Sequence, residues 1–185
     1  MAGAAGSMSP GVWYFARSAG IVAYLLLTGS VLVGLLMSGR VSLSWPRFAV
    51  EELHRFLAIL TGVFVVLHGG SLLLDRVVPI SLAQVLVPFT SAYRPLAVGL
   101  GVTAAEMMAA VGVTNLLRGR MPRTLWRRVH YVTLAVWALA SLHGVLAGSD
   151  RADPWFAGIV AAAATAVALA FAVRVRSSLA AAVAP

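Results

Sequence analysis

The chain has four histidines, His54, His68, His130 and His143, and each lies within a long apolar run. Ionisable side chains are rare in such surroundings and usually serve a function there. A neutral imidazole can pass a proton, hydrogen-bond, or donate a lone pair to a metal, and it is a standard axial ligand of haem iron. His54 and His68 are 14 residues apart, and His130 and His143 are 13 apart. At about 1.5 Å rise per residue, either spacing covers about 20 Å along a helix. That separation excludes one metal centre built from all four. It allows two pairs at two depths, each with one imidazole from each helix, and a planar iron macrocycle fits between two facing imidazoles. Any one histidine alone could be a packing residue or a step in a proton path; four in matched pairs favour the shared role.

The spacing carries one conflict. Fourteen residues return a side chain to within about 40° of its starting direction, whereas thirteen leave it about 140° away. His130 and His143 therefore cannot share a face of one straight helix. Tilt, local unwinding or different ligand approach angles must absorb the difference. Small residues flank the histidines: Gly62, Gly69 and Gly70 in one segment, Ala140, Ser141 and Gly144 in the other. They give room for a macrocycle, and they equally suit ordinary membrane helix packing.

The elements that position these residues follow from composition. Of 185 residues, 61% are hydrophobic and 11% charged, with mean hydropathy +0.92. A soluble domain carries about 25% charged residues. A helix needs about 20 mainly apolar residues to cross a bilayer. Five segments qualify: about Val12–Met37, Ala49–Leu74, Pro95–Leu117, Leu125–Ser149 and Trp155–Val173. The expected fold is all-α, an integral membrane bundle of five transmembrane helices. Its domain covers residues 11–176, with residues 1–10 and 177–185 as flexible termini. The opening MAGAAGSMSPGVWYF has no basic region, so the first helix is expected to be retained. The one long connection, Asp75–Arg94, holds Pro79 and Pro88 around an apolar stretch too short to cross. It is expected to lie in the interface as a short helix or to cap the bundle.

All 14 basic residues are arginine, and the formal charge is +8. The arginines sit at the ends of apolar runs, where they set topology and meet lipid headgroups, so nucleic acid is not an expected partner. Arg118, Arg120, Arg123, Arg127 and Arg128 cluster between the third and fourth helices. Placing that loop in the cytoplasm puts Arg40, Arg47, Arg55, Arg174 and Arg176 there too, leaving Arg17, Arg76, Arg94 and Arg151 outside. The N-terminus is then outside and the C-terminus cytoplasmic. The chain has no cysteine, which excludes disulfides, iron–sulfur clusters and covalent c-type haem attachment within it.

The paired histidines, the stretch LHRFLAILTGVFVVLHGG, the arginine-rich loop leading into LWRRVHYVTLAVWALASLHGVLAG, and the acidic outer turn together resemble the ferric reductase-like transmembrane domain. That family includes ferric reductases, NADPH oxidases and the haem-binding membrane subunit of the bacterial methionine sulfoxide reductase system. The resemblance runs from about Gly11 to Phe171. It implies transmembrane electron transfer through two b-type haems, with His54 and His130 ligating the inner haem and His68 and His143 the outer. Length and loop pattern are nearest to the small bacterial subunits, which implies a bacterial plasma or inner membrane. The chain departs from the large reductases in lacking a C-terminal flavin and NADPH domain. It also has five helices where many relatives have six. The implied role is an oxidoreductase-type electron-transfer subunit. Its donor is a separate reductase chain, a flavin at the inner surface or a membrane quinol; its acceptor is a ferric complex or a partner reductase.

Other residues bear on this reading. Arg55, Arg127 and Arg128 lie beside the inner histidines and suit haem propionates, since arginine pairs with carboxylates through two parallel hydrogen bonds; topology alone also accounts for them. Arg17, Arg76 and Arg94 are the outer counterparts. Glu106 is the one acid well inside a span, where it could pass protons, contact a quinone, or hydrogen-bond silently. Trp13, Trp45, Trp126 and Trp155 read as interface anchors, and Trp137 and Phe64 as deeper core filling. The competing function is a haem-free small membrane transporter or scaffold whose histidines carry protons or metal.

Overall fold

The structure is a computed structural model that describes residues 10–39, 45–74, 80–150 and 152–183. Arg40, Asp75, Arg76, Pro79 and Arg151 lie outside the described residues. The described chain is all-helical. It comprises α1 (Pro10–Ser38), α2 (Arg47–Leu72), the short α3 (Leu82–Leu86), α4 (Pro95–Leu116), a single 3-10 turn (Arg118–Arg120), α5 (Arg123–His130), α6 (Thr133–Ala147) and α7 (Pro154–Val183). With α5 and α6 taken as one broken rod, five helices are long and apolar enough to cross a membrane.

Proline begins every one of these five rods. Pro10, Pro95 and Pro154 are first helical residues, and Pro46 and Pro122 stand just before α2 and α5. The first turn of a helix leaves its N–H groups without carbonyl partners, so a residue lacking an N–H starts one without loss. The last helix runs past the expected end at Val173 to Val183. Its final stretch, SSLAAAV, is rich in alanine, the strongest helix former.

α1 is the central rod. It packs along α2 and also touches α6 and α7, while α4 packs along α6. Val31 and Leu35 of α1 meet Val167 and Ala170 of α7 in a buried cluster flanked by Leu134 and Trp137. Ala16, Ala19 and Ala23 of α1 are buried as well. Such small side chains let membrane helices approach closely, because lipid offers no hydrophobic drive for helices to associate. By contrast, α2 and α6, which carry three of the four histidines, scarcely touch each other. On the outside, large apolar side chains such as Phe48 (72%), Val66 (73%) and Leu116 (84%) are exposed. On a soluble monomer that surface would aggregate; it is compatible with burial among acyl chains.

Within the long connection, α3 has only five residues, capped by reciprocal bonds between Ser81 and Gln84. Leu82 and Leu86 are exposed on it. Phe89 follows with a positive φ of 65°. Its ring lies against Gly99 of α4, at a site where a Cβ would stand 2.2 Å from the ring.

One end of the bundle gathers Arg47, Arg55, Arg118, Arg120, Arg123, Arg127, Arg128, Arg174 and Arg176, and is called the basic end below. At the far end, Arg17 of α1 forms an ion pair and hydrogen bond with buried Asp150 in the α6–α7 turn. Arg17 also lies over the rings of Trp13 and Trp155, 5.4 Å and 5.8 Å from their centres. An exposed ion pair contributes under about 1 kcal/mol, whereas breaking a buried one costs about 3–5 kcal/mol. This pair is intermediate, since Arg17 keeps 29% of its side chain exposed and Asp150 only 8%. Asp150→Asn is expected to destabilise the bundle by about 2 kcal/mol. Read as a melting temperature in detergent, that is a fall of about 4–8 °C. An unchanged melting temperature would show the contact to be incidental.

Candidate functional site

The four histidines form two facing pairs. At the basic end, His54 of α2 and His130 at the end of α5 have ring centres 6.0 Å apart and planes at 71°. At the far end, His68 of α2 and His143 of α6 have ring centres 6.1 Å apart and planes at 73°. An imidazole nitrogen binds a metal at about 2.0–2.1 Å and the ring centre lies about 1 Å behind it, so two rings on opposite sides of one iron have centres about 6 Å apart. Both pairs have that separation. Among the described residues there is no cluster of three or more His, Asp or Glu for a different kind of metal centre.

The rings are held from behind. Nδ1 of His54 is 2.9 Å from the Ser30 carbonyl, Nδ1 of His68 is 2.8 Å from the Ala16 carbonyl, and Nδ1 of His143 is 2.7 Å from the Ala97 carbonyl. A carbonyl only accepts, so these three rings carry their proton on Nδ1 and present Nε2 as a lone pair. A hydrogen bond on the far nitrogen fixes tautomer and orientation, as it does in metal-ligating histidines generally.

Each tether has a glycine one turn further along the same helix. A Cβ on Gly20 would lie 3.0 Å from His68, one on Gly34 would lie 3.2 Å from His54, and one on Gly101 would lie 2.6 Å from His143. The pattern is a carbonyl at position i and a glycine at i+4: Ala16 with Gly20, Ser30 with Gly34, and Ala97 with Gly101. The carbonyl bonds the ring and the glycine clears its face. Sequence reading missed these three glycines because attention fell on the helices that bear the histidines. A signal was present: Gly20 and Gly34 repeat at 14 residues, the spacing of His54 and His68.

A break in the rod eases the 13-residue conflict. α5 stops at His130 and α6 starts at Thr133. Across the break the Val132 N–H bonds Val129 and the Leu134 N–H bonds Tyr131, each three residues back. The Thr133 hydroxyl donates to the His130 carbonyl at 2.8 Å. A three-residue turn advances about 120° per residue where an α-turn advances about 100°. The tightening turns His143 in the direction the shortfall requires, by about 20° for each such residue, which covers part of the 140°; it is overwinding, where unwinding was one of the expected devices. His54 and His68 sit on the uninterrupted α2, where 14 residues need none.

Between the two levels lie the most enclosed side chains. Thr61, 1% exposed, is seven residues from both His54 and His68, and Val136, 2% exposed, lies between His130 and His143. The Thr61 hydroxyl satisfies itself on the Leu57 carbonyl at 2.8 Å. Both side chains also border the cavity around the far-end pair.

A cavity of about 690 Å³ opens around the far-end pair. Its wall includes His68, His143, Arg17, Arg94 and Glu106. That volume falls in the range of cofactor sites, roughly 300–1,000 Å³. Gly69, Gly70, Ala140, Ser141 and Gly144 also line it, whereas Gly62 faces open space. Arg94 donates to the Leu146 carbonyl at 2.9 Å. Glu106 is exposed on the wall and has no hydrogen bond or ion pair among the described residues. At the basic end, Arg55 lies 3.5 Å from Glu52, Arg127 donates to the Tyr131 hydroxyl at 3.2 Å, and Arg128 is exposed. Trp137 fills the core and donates to Thr28 at 3.0 Å, and Phe64 is half-buried. Trp126 is more than an interface anchor: its ring stacks on His130, with centres 5.2 Å apart and planes at 21°.

Compared with known protein families, curated proteins and solved structures, the chain matches none. The site therefore has to be judged on its own geometry. Gly101→Leu is expected to drive the His143 ring off the Ala97 carbonyl and widen the far-end pair. If that pair grips a haem, the purified variant should lose about half its haem absorbance while the basic-end pair is spared.

Proposed function

We propose that this chain is a membrane electron-transfer subunit of the ferric reductase-like kind, with a b-type haem held between each pair of histidines. The observation that carries this reading is the repetition of one metal-spanning geometry, ring centres 6.0 Å and 6.1 Å apart, at two depths of one bundle. Bound b-type haem supplies one-electron chemistry by cycling between ferric and ferrous iron. The chain's own residues do the rest. His54 and His130 would hold the group at the basic end, and His68 and His143 the one at the far end. A group held by two imidazoles would be suited to electron carriage over oxygen binding. Tethers from Ser30, Ala16 and Ala97 fix the orientation of His54, His68 and His143. Arg94 on the far-end cavity wall would be placed to meet propionate carboxylates, as Arg55, Arg127 and Arg128 would at the basic end, while Arg17 is already paired with Asp150. Thr61 and Val136 separate the two levels.

Arginine asymmetry supports placing the basic end in the cytoplasm of a bacterial cell, with the N-terminus outside. The donor is then a cytoplasmic reductase, a flavin at the inner surface or a membrane quinol, and the acceptor is a ferric complex or a partner reductase at the outer face. The five spans fit a lipid bilayer, and no flavin or NADPH domain is needed in the same chain for this role.

The test is direct. Protein purified from cells with ample haem should carry two haem b per chain by pyridine haemochrome. His54→Ala or His130→Ala should leave one, and so should His68→Ala or His143→Ala. Because the ring planes stand near perpendicular in both pairs, the ferric protein should give strongly anisotropic low-spin EPR signals, unlike those of parallel imidazoles. A colourless protein would sink the proposal and favour proton or metal handling by a haem-free transporter.

A further inference from the structure

The four histidines are not held alike. Three have Nδ1 bonded to a backbone carbonyl and a glycine against the ring. His130 has neither. Its Nδ1 is buried, and among the described residues it has no hydrogen-bond partner. What supports it is the face of Trp126, stacked at 5.2 Å, whose own Nε1 is likewise buried and unpartnered. The difference follows from the break after His130: α5 ends there, and the ring is oriented from its own helix one turn back instead of from a neighbouring rod.

An N–H···O=C bond on the far nitrogen pushes electron density onto the ligating nitrogen and makes the imidazole a stronger donor. Stronger donation favours ferric over ferrous iron, so axial ligand basicity is one of the protein's levers on haem potential. The far-end pair has two such bonds, whereas the basic-end pair has one. Charge acts in the same sense. Arg127 and Arg128 adjoin His130 in sequence, and nearby cations favour the form with one more electron; Arg55, beside His54, is paired with Glu52 and adds little. At the far end, Arg17 is already neutralised by Asp150, and Arg94 on the cavity wall is offset by Glu106 on the same wall.

We infer that the missing tether at His130 makes the two sites unequal, so that the chain holds the basic-end haem at the higher midpoint potential and an electron rests there until an acceptor at the far end draws it. The inference deepens the haem reading above and rests on it. His130 is the determinant; Gly20 and Gly34 are positioning residues that act through His68 and His54.

Spectroelectrochemical titration of the purified full chain tests this without any turnover assay. The unaltered protein should titrate in two waves. The higher wave should vanish in His54→Ala and His130→Ala, and the lower one in His68→Ala and His143→Ala. Gly20→Ala presses His68 away from its carbonyl and should raise the lower wave, narrowing the gap. Gly34→Ala does the same to His54 and should raise the higher wave, widening it. A purely structural role for the glycines gives no reason for these opposite changes in separation. Coincident waves, a higher wave that survives loss of His54 or His130, or glycine variants that change the gap in the same direction would overturn the inference. Should a glycine variant fail to assemble, the histidine variants still assign the waves. Protein without haem would overturn the underlying reading instead.

Discussion

Three of the four imidazoles are held by one interaction: a backbone carbonyl in one helix accepts a hydrogen bond from a ring carried by another. A carbonyl in the middle of an α-helix is already bonded along its own rod, yet it retains a second lone pair. Ala16, Ser30 and Ala97 use that spare capacity, at 2.7–2.9 Å. Inside a membrane the arrangement is strongly favoured, because an unpaired N–H in hydrocarbon costs several kcal/mol and water is not there to meet it. The bond explains why the flanking residue is glycine: a ring close enough to reach the carbonyl lies on the next turn's surface, with no room for a Cβ. It also explains the pairing of helices. α1 serves both histidines of α2, and α4 serves His143, so the tightly packed partners are the tethering ones. The helices that carry opposing rings stand apart.

Much of this was legible in the sequence. The five spans were readable because about 20 apolar residues is a requirement of the bilayer itself. The pairing of His54 with His130 and of His68 with His143 followed from the order of residues along two rods running the same way. The conflict between 14 and 13 residues was legible as well, since it is arithmetic on helical pitch. The break that eases it was not. YVTLAV carries no proline or glycine to mark a break, and Thr133, whose hydroxyl closes the turn on His130, looks like any other threonine.

The tethers were illegible for a different reason. A backbone carbonyl has no letter in the sequence, so its role shows only through what it forbids nearby. Gly20, Gly34 and Gly101 are the visible trace of that prohibition, and the 14-residue repeat in α1 was the clue to two of them. The second role of Trp126 is hidden because tryptophan near the end of a span is so often an anchor in the headgroup region. Only its stacking on His130 sets it apart. In sequence, Arg55, Arg127 and Arg128 lie beside histidines, whereas Arg17 and Arg94 do not. Proximity in space puts Arg17 and Arg94 on the wall of the large cavity.

The separation of the two histidine levels on either side of Thr61 and Val136 has an electrical consequence. Those levels are about 20 Å apart along helices that cross about 30 Å of hydrocarbon. Charge moved from one level to the other in the proposed role traverses roughly two-thirds of the bilayer's insulating thickness, which at about 2.3 kcal/mol per charge per 100 mV is about 1.5 kcal/mol. In that role, a membrane potential negative on the side of the basic end would assist electrons toward the far end and resist their return.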